Sequence, residues 1–366
     1  AYELLRSLVG SEMCIRDSFN LSFNVVDVGT AGSKFVAFGT PVGLAYLPIA
    51  LAVNIVLIAL RLTKTVNIDI WNYWHFAFVG GLVFGATNNF VYGSVAAALM
   101  AGLMLFLADW TQPMIEKFYN LPGISIPHGH TTTWAPLAWP VVKLVERIPV
   151  IKDIDLTAES IQKRLGHFGD PPVMGLVLGL LLGALAGHSF PNVLQLGMKM
   201  AGVFLLLTRV VALLMEGLVP IAEQAKVYLM ERYKGRQFFI GLDSALLIGQ
   251  PAVMATALAM MPIALLLAVI LPGNRFLPFT DLVLFPFVFA MIVPMCKGNI
   301  LRSIIVSTVM LACGLYFASY VAQPFTTAAT MGGLKNLAAG QLASSVIDGA
   351  APTSPLFVFL FSLLPH

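Results

Sequence analysis

The chain has 366 residues, of which 58% are hydrophobic and 11% are charged, and its formal net charge is +3. Soluble domains carry about 25% charged residues, so this composition excludes a globule covered by polar side chains. The small, scattered positive charge gives no indication of nucleic-acid binding. Several apolar runs reach the length of about 20 residues that a bilayer span needs, which predicts a polytopic membrane protein.

The first 18 residues are set apart from the rest of the chain. "AYELLRSLVGSEMCIRDS" resembles a translated sequencing-adapter read-through, and it lacks the basic start and long apolar core of a signal peptide. We therefore expect no structural role for residues 1–18 and treat residues 19–366 as a single transmembrane domain. Because the chain stops inside the apolar run "PLFVFLFSLLPH", we expect a fragment of a longer protein, truncated at both ends.

Apolar segments along the chain are the candidate membrane spans. They cover residues 41–62, 74–89, 91–109, 172–190, 194–220, 244–272, 280–296, 300–322 and a last segment from 355. The turn residues of "GATNNFVYGS" interrupt residues 74–109. This region is therefore either two tight spans or one span followed by a re-entrant hairpin.

The positions of Lys and Arg predict the orientation. These residues cluster in 143–164 and in 226–236, two spans apart, and the connector "GHSFPNV" (187–193) between those spans has none. The positive-inside rule places both clusters in the cytoplasm. Lys297 and Arg302, two spans further on, fall on the same side.

Residues 149–170 form a cytoplasmic connector in this scheme. The sequence "DIDLTAESIQKRLGHFGDPP" (153–172) is the most soluble stretch of the chain. It predicts an amphipathic helix capped by Thr157 and a Gly-Pro break before the next span. The connector fits a docking surface and a plain linker equally well.

Ionisable side chains at membrane depth mark candidate functional positions, since each costs about 2.5–3.5 kcal/mol on insertion scales. "DIWNYWHF" (69–76) brings Trp74 and His75 to the start of an apolar run, where they favour a site. Trp71 fits an interfacial aromatic belt as well as it fits a site.

"PGISIPHGHTTTW" (122–134) places His128 and His130 between proline and glycine residues, so it is not a continuous helix. Such backbone is tolerated at membrane depth only where it is buried in protein or lines a wet cavity. Imidazoles and hydroxyls together suit hydrogen bonding to a polyhydroxylated ligand. A surface loop is the alternative. A metal site is less favoured, because no third ligand has a recognisable spacing and no HExxH motif is present.

Three aspartates stand beside Gly/Pro breaks. Asp170 in "GHFGDPP" and Asp281 in "LPGNRFLPFTDL" each precede an apolar run, so each is either a helix cap or a ligand-binding carboxylate. Asp348 in "VIDGAAPTSP" has a similar context. No GxSxG, Walker loop or GxGD motif with a second intramembrane aspartate supports catalysis. The residues thus indicate a transporter with broken helices around a polar site.

Several of these stretches together resemble the galactitol-type enzyme IIC of the bacterial phosphoenolpyruvate:sugar phosphotransferase system. The matching stretches are "VVDVG" (25–29), "VNIDIWNYWHF" (66–76), "LADWTQP" (107–113), "GISIPHG" (123–129), "HFGDP" (167–171), "FIGLDSALLIGQPAV" (239–253) and "LPGNRFLPFTDL" (271–282). They follow the order and spacing of the family from about residue 20 to the end.

The resemblance implies an all-α polytopic fold: an inverted-repeat transporter with broken helices and re-entrant segments, divided into a scaffold and a mobile core. It also implies a homodimer in the inner membrane of a bacterium. The chain would carry a hexitol, and a cytoplasmic IIB partner, phosphorylated on its own cysteine and served by IIA, would phosphorylate it. We expect no cofactor, no metal and no independent catalytic chemistry in this chain.

The resemblance also implies which segments face the sugar. Gly129 would let the backbone approach the ligand, while His130, the threonine run and Gln250 lie where the family pattern is variable, which leaves the choice of polyol open. The predicted substrate-binding residues are Asp27, Trp74, His75, His128, Gly129, Asp170 and Asp281.

Two other functions remain open from the residues alone. An ion-coupled symporter would use Asp170 and Asp281 to carry protons. A metal-dependent intramembrane enzyme would use His128 and His130.

Overall fold

The structure, a computed structural model, describes residues 23–154, 156–157, 170–185, 187–233, 236–335 and 337–365. The helices of the first part are α1 (Gly29–Gly39), α2 (Val42–Ala59), α3 (Trp71–Thr87), α4 (Phe90–Tyr119), α5 (Gly129–Thr132), α6 (Ala135–Val145), α7 (Pro149–Lys152) and α8 (Pro171–Leu185). They continue with α9 (Phe190–Arg232), α10 (Pro251–Ile270), α11 (Phe285–Phe289), α12 (Ile292–Met295), α13 (Ile300–Tyr320), α14 (Ala322–Met331) and α15 (Thr353–Ser362). Short 3₁₀ turns cover Ser244–Leu246 and Leu282–Leu284.

Four of the described helices, α2, α4, α10 and α13, are long and apolar enough to cross a membrane by length and composition. Side-chain caps set the starts of three of them. Asn89 accepts hydrogen bonds from the first amides of α4, Gln250 does the same for α10, and Asn299 accepts from Arg302 N at the start of α13, whereas α2 has no side-chain cap. Asn88, in the left-handed conformation, ends α3. Region 74–109 is therefore two tightly connected helices.

Five short strands cross-link the helices. They are β1 (Val25–Asp27), β2 (Thr65–Asn67), β3 (Ile124–Ser125), β4 (Phe239–Gly241) and β5 (Leu342–Ser344). β1 pairs in parallel with β5, and Val25 also bridges Phe276. β4 pairs in parallel with both β2 and β3. β1, early in the chain, thus pairs with two later segments, and β4, in the second half of the chain, pairs with two strands of the first half.

Two segments contact opposite ends of α4. Gly123, before β3, donates its backbone N–H to Glu116 of α4, and α6 ends at Glu146 in a groove that also contains Thr111 and Met114. We call residues 123–146 the first hairpin. Residues 342–365, the second hairpin, run from β5 to the end of α15, where Tyr92 at the start of α4 donates to the Pro365 carbonyl at 2.8 Å.

The described core has two large clusters of buried apolar side chains and a small third one of Val42, Phe84 and Ala97. One surrounds α3, with Phe76, Phe78 and Phe325 as its large members. The other lies around α10 to α13 and includes Phe276 and Phe289. The second hairpin contributes to both clusters, with Phe357 in the cluster around α3 and Ile347 in the other, and the first hairpin adds Trp134 to the latter.

The predicted helical membrane protein is confirmed, with three corrections. The fold is not strictly all-α, because the described residues include five short strands. Strands of two or three residues are too short to give a periodic signal in the sequence. Residues 280–296 are not one span: the Leu282–Leu284 turn, α11 and α12 divide them, with Pro286 at the start of α11. The span expected at 244–272 begins only at Pro251. The helix predicted at Thr157 falls almost entirely outside the described residues.

Candidate functional site

A cavity of about 350 Å³ opens between the tips of the two hairpins and α3. Its polar and aromatic lining consists of Thr30, Asp69, Trp71, Trp74, His128, His130, Asp243 and Phe287, and Ala245, Leu246, Leu284 and Ile347 complete it. The lining therefore combines carboxylates, imidazoles and indoles on an apolar background, which is the usual composition of a small-ligand site.

The threonine run fixes the tip of the first hairpin. Thr132 Oγ1 donates to the Ile126 carbonyl and Thr133 Oγ1 to the Gly129 carbonyl, both at 2.5 Å. Thr131 Oγ1 lies 2.7 Å from the Phe287 carbonyl oxygen. These hydroxyls satisfy backbone groups that an interrupted helix would leave unpaired. The three threonine hydroxyls therefore hold the hairpin tip, and with it His128 and His130, in position.

Asp348, at the tip of the second hairpin, is the centre of a buried polar cluster. One carboxylate oxygen, Oδ1, accepts from Trp74 Nε1 at 3.3 Å, is hydrogen-bonded to His130 Nε2 and lies 3.5 Å from His75 Nδ1. The other ring nitrogen of His75, Nε2, lies 3.2 Å from Thr353 Oγ1. Asp348 Oδ2 and His75 Nδ1 are buried and make no hydrogen bond in the described structure.

Three members of this cluster could hold a metal ion. One ligand atom from each of His75, His130 and Asp348 lies within 4.8 Å of the others. Two imidazoles and one carboxylate are ligands suited to divalent transition metals. The spacing of the histidines gave no third metal ligand, and the structure brings His75 and Asp348 to His130, while His128 lies outside this group. The spacing of residues along the chain could not reveal His75 and Asp348 as neighbours of His130, because they come from distant segments of the chain.

Two carboxylates, those of Asp69 and Asp243, border the cavity beside His128. His128 Nε2 lies 3.5 Å from Asp243 Oδ2, while Asp243 Oδ1 accepts from the Ala245 backbone N–H at 2.6 Å. Asp69 Oδ1 accepts from Trp71 N at 3.0 Å, and its Oδ2 accepts from Asp243 N at 3.1 Å. Asp69 therefore connects the start of α3 to the segment after β4.

Four of the seven predicted residues meet at this site. Trp74 and His128 line the cavity. His75 lies directly behind them, with its ring centroid 4.9 Å from that of His130. Gly129 packs against the His75 ring so closely that an added Cβ would lie 2.1 Å from His75 Cδ2.

Asp27 and Asp281 lie one layer further from the cavity. Asp27 Oδ1 accepts from Gly29 N, and its Oδ2 accepts from the amides of Phe279 and Thr280. Asp281 makes no side-chain cap for the turn that follows it. Its Oδ2 instead accepts from Thr30 Oγ1 at 3.0 Å, and Thr30 lines the cavity.

Asp170, the seventh predicted residue, is not part of the cavity lining. Its carbonyl accepts from Val173 N at 3.0 Å in the first turn of α8. A role for Asp170 in sugar binding stays a prediction.

Sequence reasoning did not name three polar residues of the site: Thr30, Asp69 and Asp243. It singled out His130 and Asp348 in their stretches but did not include them among the predicted substrate-binding residues, and Asp69 stands in a stretch that was singled out for Trp74 and His75. Asp243 follows β4, and only the pairing of β4 with β3 brings it to the first hairpin. A sequence signal for β4 would have been needed to find it.

The comparisons with known proteins agree with this architecture. Residues 4–340 match the family described as "PTS system sugar-specific permease component". The chain is 38% identical over 360 residues to the "PTS system galactitol-specific EIIC component" of Escherichia coli (strain K12), which covers 98% of this chain and 79% of that protein. It is also 38% identical over 317 residues to a "Putative permease IIC component" of the same strain, covering 87% and 72% of the two chains. With these matches and its apolar helices, the chain belongs to the family of sugar-specific permease components of the phosphotransferase system and is a multi-pass protein of the inner membrane.

Proposed function

We propose that this permease carries a galactitol-like hexitol across the inner membrane and presents it to a cytoplasmic IIB partner for phosphorylation. The observation that carries the proposal is the cavity of about 350 Å³ between the two hairpin tips. Its volume is within the range of about 300–1,000 Å³ typical of small-ligand sites. Its carboxylates and imidazoles match the alternating donors and acceptors of a polyol.

Each polar group of the lining has a role in this proposal. His128 and His130 exchange hydrogen bonds with hydroxyl groups, and the carboxylates of Asp69 and Asp243 accept them. Hydrogen bonds to charged groups contribute about 1.5–3 kcal/mol each, so two or three of them hold a hexitol. Trp74 covers the apolar C–H face of the ligand. His75, Gly129, Asp27 and Asp281 support this shell from behind.

We further propose that the fold is an inverted repeat with two re-entrant hairpins. The reciprocal strand pairing supports it: β1 of the first half pairs with β5 and Phe276, whereas β4 of the second half pairs with β3 and β2. The first hairpin begins and ends at the carboxyl end of α4, the second hairpin ends at its amino end, and the two meet at His130 and Asp348. Opposed broken segments around a central site are typical of alternating-access transporters.

The division into a scaffold and a mobile core, and the homodimer, remain proposals as well. Among the described residues, α8 and α9 pack mainly on each other, with Gly179 and Gly197 at their closest approach. α9 also exposes large apolar side chains such as Phe190 and Met198. A helix pair of this kind is suited to a scaffold against which the hairpin-bearing core moves.

The test is phosphorylation of labelled galactitol in vesicles that contain this chain together with the soluble IIA and IIB proteins of a galactitol system and the general phosphoryl carriers that pass phosphate from phosphoenolpyruvate to IIA. We expect labelled galactitol phosphate inside the vesicles, and none when IIB or this chain is left out. Phosphorylation of a different polyol would correct the substrate. Free, unphosphorylated galactitol inside the vesicles would contradict the coupling and favour an ion-coupled symporter.

The cluster of His75, His130 and Asp348 makes a metal-dependent function the second candidate. Elemental analysis of the purified protein distinguishes it. A stoichiometric transition metal that is lost in His130→Ala would favour this candidate, whereas galactitol phosphorylation by metal-free protein would exclude a metal from the transport reaction.

A further inference from the structure

We propose that the cavity rejects anions, so that it binds a neutral polyol and does not retain or rebind the phosphate ester of that polyol. The inference rests on the proposed function, because it assumes that a hexitol occupies the cavity. It adds what the site excludes and how the reaction product leaves.

The charges around the cavity carry the first part of the argument. Two carboxylates, Asp69 and Asp243, line it directly, and no Lys or Arg is among its described lining residues. Asp348 and Asp281 lie immediately behind the lining, each in contact with a residue of the wall. Protein sites for phosphate normally supply Arg, Lys or free backbone amides. This cavity offers the opposite charge.

The backbone amides around the cavity also bear on whether it can bind an anion. Starts of helices and turns are natural anion sites because their first N–H groups are unpaired. Here two such starts at the cavity, and a third one layer behind it, are occupied by the protein's own carboxylates. Asp69 accepts from Trp71 N at the start of α3, Asp243 accepts from Ala245 N, and Asp27 accepts from Gly29 N at the start of α1. These donors are therefore not available to a phosphate group.

The imidazoles do not reverse this balance. His128 faces Asp243, and both His130 and His75 face Asp348. A proton on any of these rings would be matched by a carboxylate already in contact with it. A phosphate dianion in the cavity would thus meet Asp69 and Asp243 without an unmatched positive charge.

A consequence follows for the direction of transport. A neutral hexitol enters a cavity of hydrogen-bonding groups, and a group bearing two negative charges is created on it when the partner phosphorylates it. From that moment the same carboxylates that bound the hydroxyls repel the ligand. Release into the cytoplasm is favoured, and the phosphate ester in the cytoplasm does not compete with incoming sugar.

The test compares the binding of galactitol and of its monophosphate ester to the purified chain in lipid nanodiscs. Trp71 and Trp74 line the cavity, so quenching of tryptophan fluorescence reports occupancy, and calorimetry provides an independent reading. We expect the dissociation constant of the ester to be at least about a hundredfold higher than that of galactitol, a difference of about 2.7 kcal/mol.

The variant Asp243→Asn separates charge from structure, because the amide oxygen can still accept from Ala245 N. We expect it to reduce the ratio of the two dissociation constants about tenfold. A purely structural role would weaken both ligands and leave the ratio unchanged. Asp69→Asn serves the same purpose if Asp243→Asn does not fold. Asp153→Asn, an exposed aspartate outside the cavity, is the matched control and should leave the ratio as in the unmodified chain.

The outcomes are distinct. Equal affinity for galactitol and its ester overturns the inference and leaves the proposed function intact. An unchanged ratio in both charge variants also overturns it, because rejection would then not come from these carboxylates. Failure of galactitol and related polyols to bind at all, with the protein folded, contradicts the proposed function and overturns the inference with it.

Discussion

At the scale of single residues, His128 and His130 show what spacing can and cannot reveal. Two positions apart in the chain, they contact different aspartates, Asp243 and Asp348. A polar site at the first hairpin was predictable because its signal is local: histidines and threonines between Pro and Gly residues in an apolar chain. The partner Asp348 is 218 residues from His130, and no local pattern carries that information.

Replacing His128 by Ala should reduce galactitol binding by at least about tenfold and abolish uptake. The imidazole lines the cavity, and a hydrogen bond to a charged or strongly polar partner contributes about 1.5–3 kcal/mol. Uptake by cells that express equal amounts of each variant is the measurement. His188→Ala, in the connector before α9, is the matched control. Normal uptake by His128→Ala would contradict the assignment of this residue.

Replacing Gly129 by Ala should destabilise the site. The new methyl group would lie 2.1–2.5 Å from three atoms of the buried His75 side chain, and overpacking of this kind costs typically about 1–3 kcal/mol. We expect a lower thermal midpoint together with weaker galactitol binding. Gly202→Ala in α9, where nothing lies within 4 Å of the added atom, should leave both unchanged or raise the midpoint slightly. Equal thermal midpoints for the two variants would contradict the prediction, because they would show that the tip of the first hairpin accommodates the added methyl group without loss of stability.

At the scale of elements, helices were predictable and strands were not. Runs of about 20 apolar residues gave α2, α4, α10 and α13, because the bilayer imposes that length on sequence. The strands have two or three residues, and their pairing is set by tertiary contacts. The span predicted at 280–296 was wrong because it was inferred from apolar composition alone. Pro286 stands at the start of α11 and Pro294 lies in α12, and these two short helices replace a continuous span.

Strand β2 gives a prediction at this scale, because Asn54 of α2 pairs with its outer edge. The Asn54 side chain donates to the Thr65 carbonyl at 2.9 Å and accepts from Asn67 N at 3.0 Å, as a neighbouring strand would. Asn54→Ala leaves both groups buried and unpaired, which costs about 1–3 kcal/mol for each group. We expect a thermal midpoint several degrees lower. Asn192→Ala, at an exposed position in α9, is the control, and equal midpoints would contradict the edge-pairing role of Asn54.

At the scale of the whole molecule, the two halves are joined through strands and hairpin tips and, within the part of the chain that the structure describes, through an ion pair between Lys297 and Glu146. Lys297, in the turn before α13, donates to Glu146 at the end of the first hairpin at 3.0 Å. Lys143 lies 3.6 Å from the same carboxylate. The family resemblance predicted a fold of two related halves, but the contacts between them required the structure. Each contact joins residues that are far apart in the chain.

The Glu146 pair predicts a dependence on pH and salt. The hydrogen bond from Lys297 lowers the pKa of the Glu146 carboxyl. A lowered pKa contributes stability that is present above the ordinary glutamate range, about 4.3, and that is lost as the pH falls through the value in the fold. Lys297 is 75% exposed, so we expect less than about 1 kcal/mol.

Glu146→Gln should therefore lower the thermal midpoint slightly at pH 7. The difference should shrink at high salt and vanish once acid has protonated Glu146 in the unmodified protein. Midpoints measured between pH 7 and pH 3 provide the test, with Glu231→Gln, an exposed glutamate near the end of α9, as the control. A difference that persists at pH 3 would mean that the substitution acts through packing.

The pairing of β1 with β5 also sets a schedule for biosynthesis. Val25 meets Leu342, so the ribosome adds roughly 320 residues between the two strands, which takes on the order of 15–60 s at about 5–20 residues per second. Until then β1 lacks its pairing with β5, although Val25 N can already donate to the Arg275 carbonyl. A nascent chain that stalls before residue 342 never acquires the β5 partner. The β1–β5 sheet therefore forms only after translation has passed residue 344.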